Sequence, residues 1–210
     1  MRIAIPIFEG ITALDAVGPY EVLSRLPDAE VVFVARAPGP HRTENGVLAL
    51  TADAALSDVC DPEVIVVPGG FGTRKLMTDE AMLSWVRAAG AASQWTTSVC
   101  TGSLLLAAAG LLNGLRATTH WLELETLRQF GADPVSERVV VQGKVITAAG
   151  VSSGIDMALT LAAEIAGDEI AQAIQLGIEY DPQPPFDSGS VAKAPPRIVE
   201  LVRARRSRLA

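Results

Sequence analysis

Cys100 stands in the run TTSVCTGSLLLAAAGLLNG, between β-branched residues that suit a strand (Thr96, Thr97, Val99) and a Leu/Ala-rich stretch that suits a helix. The strand-to-helix junction is electrically special, because unpaired backbone N–H groups point out of a helix start. Mostly ionising a thiol at pH 7 needs a pKa shift of about two units, or about 2.7 kcal/mol. A helix dipole at an exposed site supplies roughly 0.3–1 kcal/mol, so hydrogen bonds must add to it. The backbone N–H groups of the turn and the Thr101 hydroxyl are the candidates, and Gly102 allows the helix to pack closely on the strand. The pattern Ser98-Val99-Cys100-Thr101-Gly102 resembles a nucleophile elbow whose first glycine is replaced by serine. The competing reading is a small buried cysteine that fills a core gap.

Two other segments bear on that choice. Asp15 lies in the otherwise apolar ITALDAVGP. It reads either as an acid at a helix start or as a carboxyl close to Cys100. Two such groups cannot both ionise cheaply, so an acid–thiol pair would share one proton and titrate as a unit. The run VVPGGFG (66–72) lacks the lysine spacing of a phosphate loop. It reads as a tight turn that brings the Gly69 or Gly70 N–H beside the sulfur, completing an anion-stabilising hole with the Thr101 N–H. His120, twenty residues after Cys100, either lines the pocket or is a hydrogen-bonded helix-start residue. His41 reads as surface, and Cys60 as structural. With two histidines and scattered carboxylates, no metal site and no cofactor are expected.

The elements that must position these groups alternate. Strands are expected at 1–8, 29–36, 62–70 and 95–99, and a strand pair at 138–150 around Gln142-Gly143. Helices are expected at 18–26, 79–90, 103–112, 120–131, 152–167, 168–178 and 196–208, with a small hairpin turning at Asn45-Gly46. Apolar strands alternating with helices argue for a largely parallel sheet covered on both faces, in one domain spanning 1–210. In such folds ligands bind beyond the carboxyl ends of the strands. Asp15, the Pro68–Gly72 turn and Cys100 each follow a strand, and this convergence favours an active-site cysteine.

Bulk properties exclude other classes. The net charge is −7, and six of the 17 basic residues fall in 191–210 beside a single acid. The remainder carries 11 basic against 23 acidic residues, a poor surface for nucleic acid. The basic tail reads as a solvated helix end. No apolar run reaches membrane-spanning length, two cysteines make no disulfide framework, and no leader-like segment is visible. A cytoplasmic protein without membrane or nucleic-acid partners is expected.

The segments IPIFEGITALDAVGPYEVL, VVPGGFG, SVCTGSLLLAAAGLLNGLRATTHW, AAGVSSGIDMAL and GIEYDPQPPFDSGS together resemble the ThiJ/PfpI superfamily over nearly the whole chain. The resemblance implies a flavodoxin-like three-layer sandwich, a nucleophilic Cys100 on a strained elbow, and a homodimer. In much of that superfamily histidine follows the cysteine and the nearby acid is glutamate. Here the matching positions are Thr101 and Asp15, which resembles the branch that hydrates isonitriles and implies roles for Cys100, Thr101 and Asp15. Two alternatives follow from the wider superfamily: glyoxalase-like chemistry on reactive aldehydes, and a non-enzymatic oxidation sensor at Cys100.

Overall fold

The computed structural model describes residues 1–206 in two compact units, Met1–Ile178 and a second beginning at Glu179. The first unit opens with β1 (Arg2–Pro6), α1 (Ala13–Leu23) and β2 (Glu30–Ala35). The hairpin β3 (Gly39–Arg42) and β4 (Ala49–Ala52) follows, then β5 (Ala54–Ala55) and β6 (Val64–Val67). Next come α2 (Thr73–Leu76), α3 (Glu80–Ala92), β7 (Trp95–Val99) and α4 (Gly102–Ala108). Beyond them lie β8 (Arg116–Ala117), α5 (Leu124–Gln129) and β9 (Asp133–Pro134). The unit ends with β10 (Val139–Gln142), β11 (Val145–Ala148), α6 (Ser153–Ala166) and α7 (Asp168–Gly177). In the second unit α8 runs from Pro196 to Arg206, so the last two positions of the expected helix lie outside the described residues.

Seven strands form one sheet in the order β10-β11-β7-β6-β1-β2-β5, parallel throughout except for the β10–β11 pair. All four residues of β6 are buried, as are four of five in β1 and β7. Strands apolar on both sides need cover on both faces, and the helices supply it. α1 packs on α6 on one face, and α3 packs on α4 on the other. This is the flavodoxin-like arrangement. The chain starts at β1, adds β2 on one side, then crosses to place β6 on the other. The carboxyl ends of β1 and β6 therefore diverge into loops running in opposite directions, a topological switch point and the usual ligand crevice of such sheets.

Among the differences from the expected elements, three lie near the sheet's carboxyl edge or its helical cover. α1 starts at Ala13 and carries Pro19 in its interior. Pro19 has no N–H, so the Asp15 carbonyl loses its usual helical donor, and the Pro19 ring packs where Gly154 of α6 leaves room. The helix expected at 120–131 is a 3₁₀ turn, Trp121–Glu123, leading into α5. The four-residue α2 is too short to leave a periodic signal.

Candidate active site

β7 ends at Val99, and Cys100 turns the chain into α4 with φ at +55°. A non-glycine residue in that left-handed region costs of order 1–3 kcal/mol and persists only when its surroundings hold it. Here the Cys100 N–H donates to the Ala148 and Ala149 carbonyls at 3.1 and 2.8 Å. Its carbonyl accepts from the Ser103 and Thr119 hydroxyls at 3.1 and 2.9 Å. At Gly102 a Cβ would run into the Val67 carbonyl, so only glycine lets α4 begin this close to β6. The result is a thiol that is 5 % exposed, at the end of a central strand.

Asp15 reaches the same place from the first turn of α1 and is fully buried. It is thus both a helix-start acid and a neighbour of Cys100. Its Oδ2 accepts the Gly69 N–H at 2.9 Å. Its Oδ1 is buried without a hydrogen bond of regular geometry, and the remaining polar neighbour of the carboxyl is the Cys100 thiol. The Thr12 N–H donates to the Gly69 carbonyl at 3.0 Å, which locks the loop after β1 to the turn after β6.

Burial governs the protonation of this pair. It pushes the Asp15 carboxyl up to about 7, against the lowering effect of the Gly69 N–H and the Cys100 thiol, while the charge of Glu44 adds to the rise. Burial also pushes the Cys100 thiol well above its ordinary range, and the charge of Asp15 adds to this. The Val151 and Thr101 N–H groups oppose the rise without overcoming it. The helix start therefore does not yield a resting thiolate. The resting pair is a protonated thiol beside a carboxyl pushed up toward neutral pH, and the ionised carboxylate is the group able to receive the thiol proton.

The glycine turn takes a different part from the one expected of it. The Gly69 N–H is committed to Asp15, and the Gly70 N–H donates to Thr101 Oγ1 at 2.9 Å. The Thr101 hydroxyl sits in that turn too, 3.2 Å from the Gly70 carbonyl, and Thr73 Oγ1 donates to the same carbonyl at 2.8 Å. What Thr101 offers the sulfur is its backbone N–H, and the second donor is Val151. Val151 escaped sequence reading because any residue supplies an N–H. The available signal was its place just beyond the end of β11, in the sheet-edge position that singled out Asp15 and Cys100. His120 Nδ1 accepts the Leu122 N–H at 3.3 Å as the cap of the 3₁₀ turn, and its ring packs against Gly150, next to Val151. His41 lies in β3, and Cys60 is exposed with its thiol on the Ser57 carbonyl. Among the described residues no cluster of three His, Cys, Asp or Glu side chains could hold a metal ion.

A Cβ at Gly69 would stand 2.5 Å from the Thr101 nitrogen, 2.6 Å from Thr101 Oγ1 and 2.9 Å from Asp15 Oδ2. Gly69→Ala must therefore push the turn away from both groups. A displacement near 1 Å costs about 100-fold in turnover, which steady-state kinetics on a folded variant would measure. Wild-type rates in that variant would mean that the turn does not position Asp15.

The model for the DJ-1/PfpI family matches residues 1–164. The chain belongs to the DJ-1/PfpI family. Within that family it is 46% identical over 205 residues to the isonitrile hydratase of Pseudomonas putida, covering 98% of this chain and 90% of that protein. A crystal structure of a ThiJ/PfpI family protein from Pseudomonas syringae superposes with a TM-score of 0.92 at 39% identity, over 97% of this chain and 86% of that one. An HTH-type transcriptional regulator of Pseudomonas aeruginosa is 30% identical over 80% of this chain, which spans 50% of the regulator's length. The isonitrile hydratase likeness extends over nearly the full length of both chains.

Proposed function

We propose that this DJ-1/PfpI protein is an isonitrile hydratase that adds water to an organic isonitrile to give an N-substituted formamide. The observation that carries the reading is the 46% identity to an isonitrile hydratase across 98% of the chain. The site supports it with a buried thiol beside a carboxyl whose pKa is pushed up to about 7.

In the proposed mechanism Cys100 is the nucleophile and Asp15 moves the protons. The sulfur attacks the terminal isonitrile carbon, RNC, while the Asp15 carboxylate takes the thiol proton. Asp15 returns that proton to the same carbon, leaving a thioimidate, RN=CH–S–Cys100. Water then adds to the carbon: its hydroxyl forms the new C–O bond and its proton passes through Asp15 to nitrogen. The adduct RNH–CH(OH)–S–Cys100 collapses to RNH–CHO as the C–S bond breaks and the hydroxyl proton returns to sulfur. The Thr101 and Val151 N–H groups support the developing negative charge on sulfur, whose thiolate is otherwise disfavoured by burial. Gly69 holds the Asp15 carboxyl in place, Gly70 holds Thr101, and His120 backs the turn that carries Val151. The chemistry draws on no cofactor or metal.

The substrate is a small molecule. A homodimer in the cytoplasm completes the proposal, with sedimentation of the purified protein as the check on assembly. Among the described residues no helix is long and apolar enough to cross a membrane. Incubating purified protein with cyclohexyl isonitrile, and in parallel with methylglyoxal, tests the activity directly. N-cyclohexylformamide from the first and no product from the second is the expected result. Turnover of methylglyoxal alone would favour the aldehyde chemistry instead.

A further inference from the structure

Glu123 is a buried carboxylate, 4 % exposed, that no step of the mechanism uses. It sits at the end of the 3₁₀ turn that His120 caps, and its N–H donates to the His120 carbonyl at 2.8 Å. Its Oε1 accepts from Arg74 Nη2 at 2.5 Å and its Oε2 from the Thr126 hydroxyl at 2.7 Å. Arg74, from α2, also reaches the Gly70 carbonyl at 3.4 Å and stacks over the Phe71 ring at 4.8 Å from its centre. One guanidinium thus ties the turn after β6 to the segment carrying His120, 49 residues further along the chain.

We propose that Arg74 and Glu123 are a positioning pair that braces the Gly69–Gly70 turn against Asp15 and Thr101. The case is geometric. Gly70 binds Thr101 through its N–H and its carbonyl, and Gly69 binds Asp15 through its N–H. The Gly70 carbonyl gathers donors from Thr73, Thr101 and Arg74. Of these, Arg74 is the one whose side chain also binds Glu123, on the segment that follows His120. A charge pair with one buried partner suits this task, because a buried carboxylate left without its cation is costly and the pair holds one arrangement. At the other end the Glu123 turn fixes His120, whose ring fills the space a Gly150 side chain would need, beside the Val151 N–H. Neither Arg74 nor Glu123 is assigned a contact with substrate.

The inference rests on Cys100 and Asp15 acting together, so its test carries one readout that needs no isonitrile. The rate of Cys100 alkylation by iodoacetamide, followed against pH, reports when Asp15 becomes able to take the thiol proton. The titratable groups acting on Asp15 are Cys100 and Glu44. Glu123→Gln keeps the shape but removes the charge that holds Arg74. Loosening the turn weakens the Gly69 N–H bond to the Asp15 carboxylate, and losing a bond to the charged form raises a carboxyl pKa. The inflection is expected to move upward by about half a unit. Formamide production should fall about tenfold in kcat, with KM within about threefold of wild type. Arg74→Lys, which keeps the charge on Glu123 but not the planar fork, should move both readouts the same way. Glu137→Gln, which breaks the exposed pair with Arg116, should leave both unchanged. An unshifted inflection with wild-type kcat in Glu123→Gln overturns the proposal. If that variant does not fold, wild-type behaviour of Arg74→Lys overturns it equally. A moved inflection in a protein that makes no formamide would remove the hydratase reading and leave the positioning pair standing.

Discussion

Cys100→Ala protein is expected to release no formamide while keeping a native thermal transition, whereas Cys60→Ala keeps most of the wild-type rate. The two thiols differ in every property the reaction needs. Cys60 is exposed, donates to the Ser57 carbonyl and precedes the amino end of β6, the opposite end of that strand from the switch point. Cys100 sits beside Asp15 with two backbone N–H groups on its sulfur. Its removal eliminates the only described atom placed to form the thioimidate, so the loss is total within detection rather than partial. Alanine is smaller than cysteine and cannot overfill the site. The left-handed φ at position 100 costs alanine about what it costs cysteine, so the fold should survive. A covalent adduct caught by mass spectrometry on Cys60, or turnover by Cys100→Ala, would dismiss the assignment.

The second large effect belongs to Asp15→Asn. Asparagine has nearly the same shape and its carbonyl can still accept the Gly69 N–H. It cannot accept the thiol proton or return it to carbon. Turnover should drop by roughly 10²–10⁴-fold, the usual cost of a lost acid–base group. The wild-type rate should rise with pH through about 7 as Asp15 ionises, and the variant should lack that limb. Stability should move the opposite way. Asp15 has a folded pKa above its ordinary value of 3.8, so the folded state holds the proton more tightly than the unfolded chain. Its stabilising contribution is complete below that ordinary value and is lost as pH rises through about 7. Asp15→Asn should therefore melt above wild type at pH 8, and the gain should disappear near pH 4. A variant that melts lower at both pH values, or that turns over normally, would reduce Asp15 to a helix-start residue.

Much of this site can be read from residue types alone. A cysteine between TTSV and TGSLLL marks a strand-to-helix elbow, because β-branched and Leu/Ala runs prefer different backbones. The apolar strands alternating with helices require a covered parallel sheet, and that architecture sends functional residues to the loops at its carboxyl edge. Asp15, the Pro68–Gly72 turn and Cys100 were therefore legible as neighbours although they lie far apart in the chain. Gly102 was legible as a packing residue for the same local reason. Which member of the acid–thiol pair holds the shared proton was not legible, because burial is a property of the whole fold: the strand cores that bring Asp15 and Cys100 together also exclude water from both and raise both pKa values. The donors on the sulfur were equally beyond composition. Gly69 and Gly70 face Asp15 and Thr101 instead, and Val151 donates from β11's loop only because β11 lies beside β7 in the sheet order. Arg74 and Glu123 carry no motif, and only packing brings them together. Local sequence determined which residues could do chemistry and at which edge of the sheet. Strand order, burial and the partners of each N–H, which depend on contacts distant in sequence, decided where the protons rest and which groups hold the sulfur.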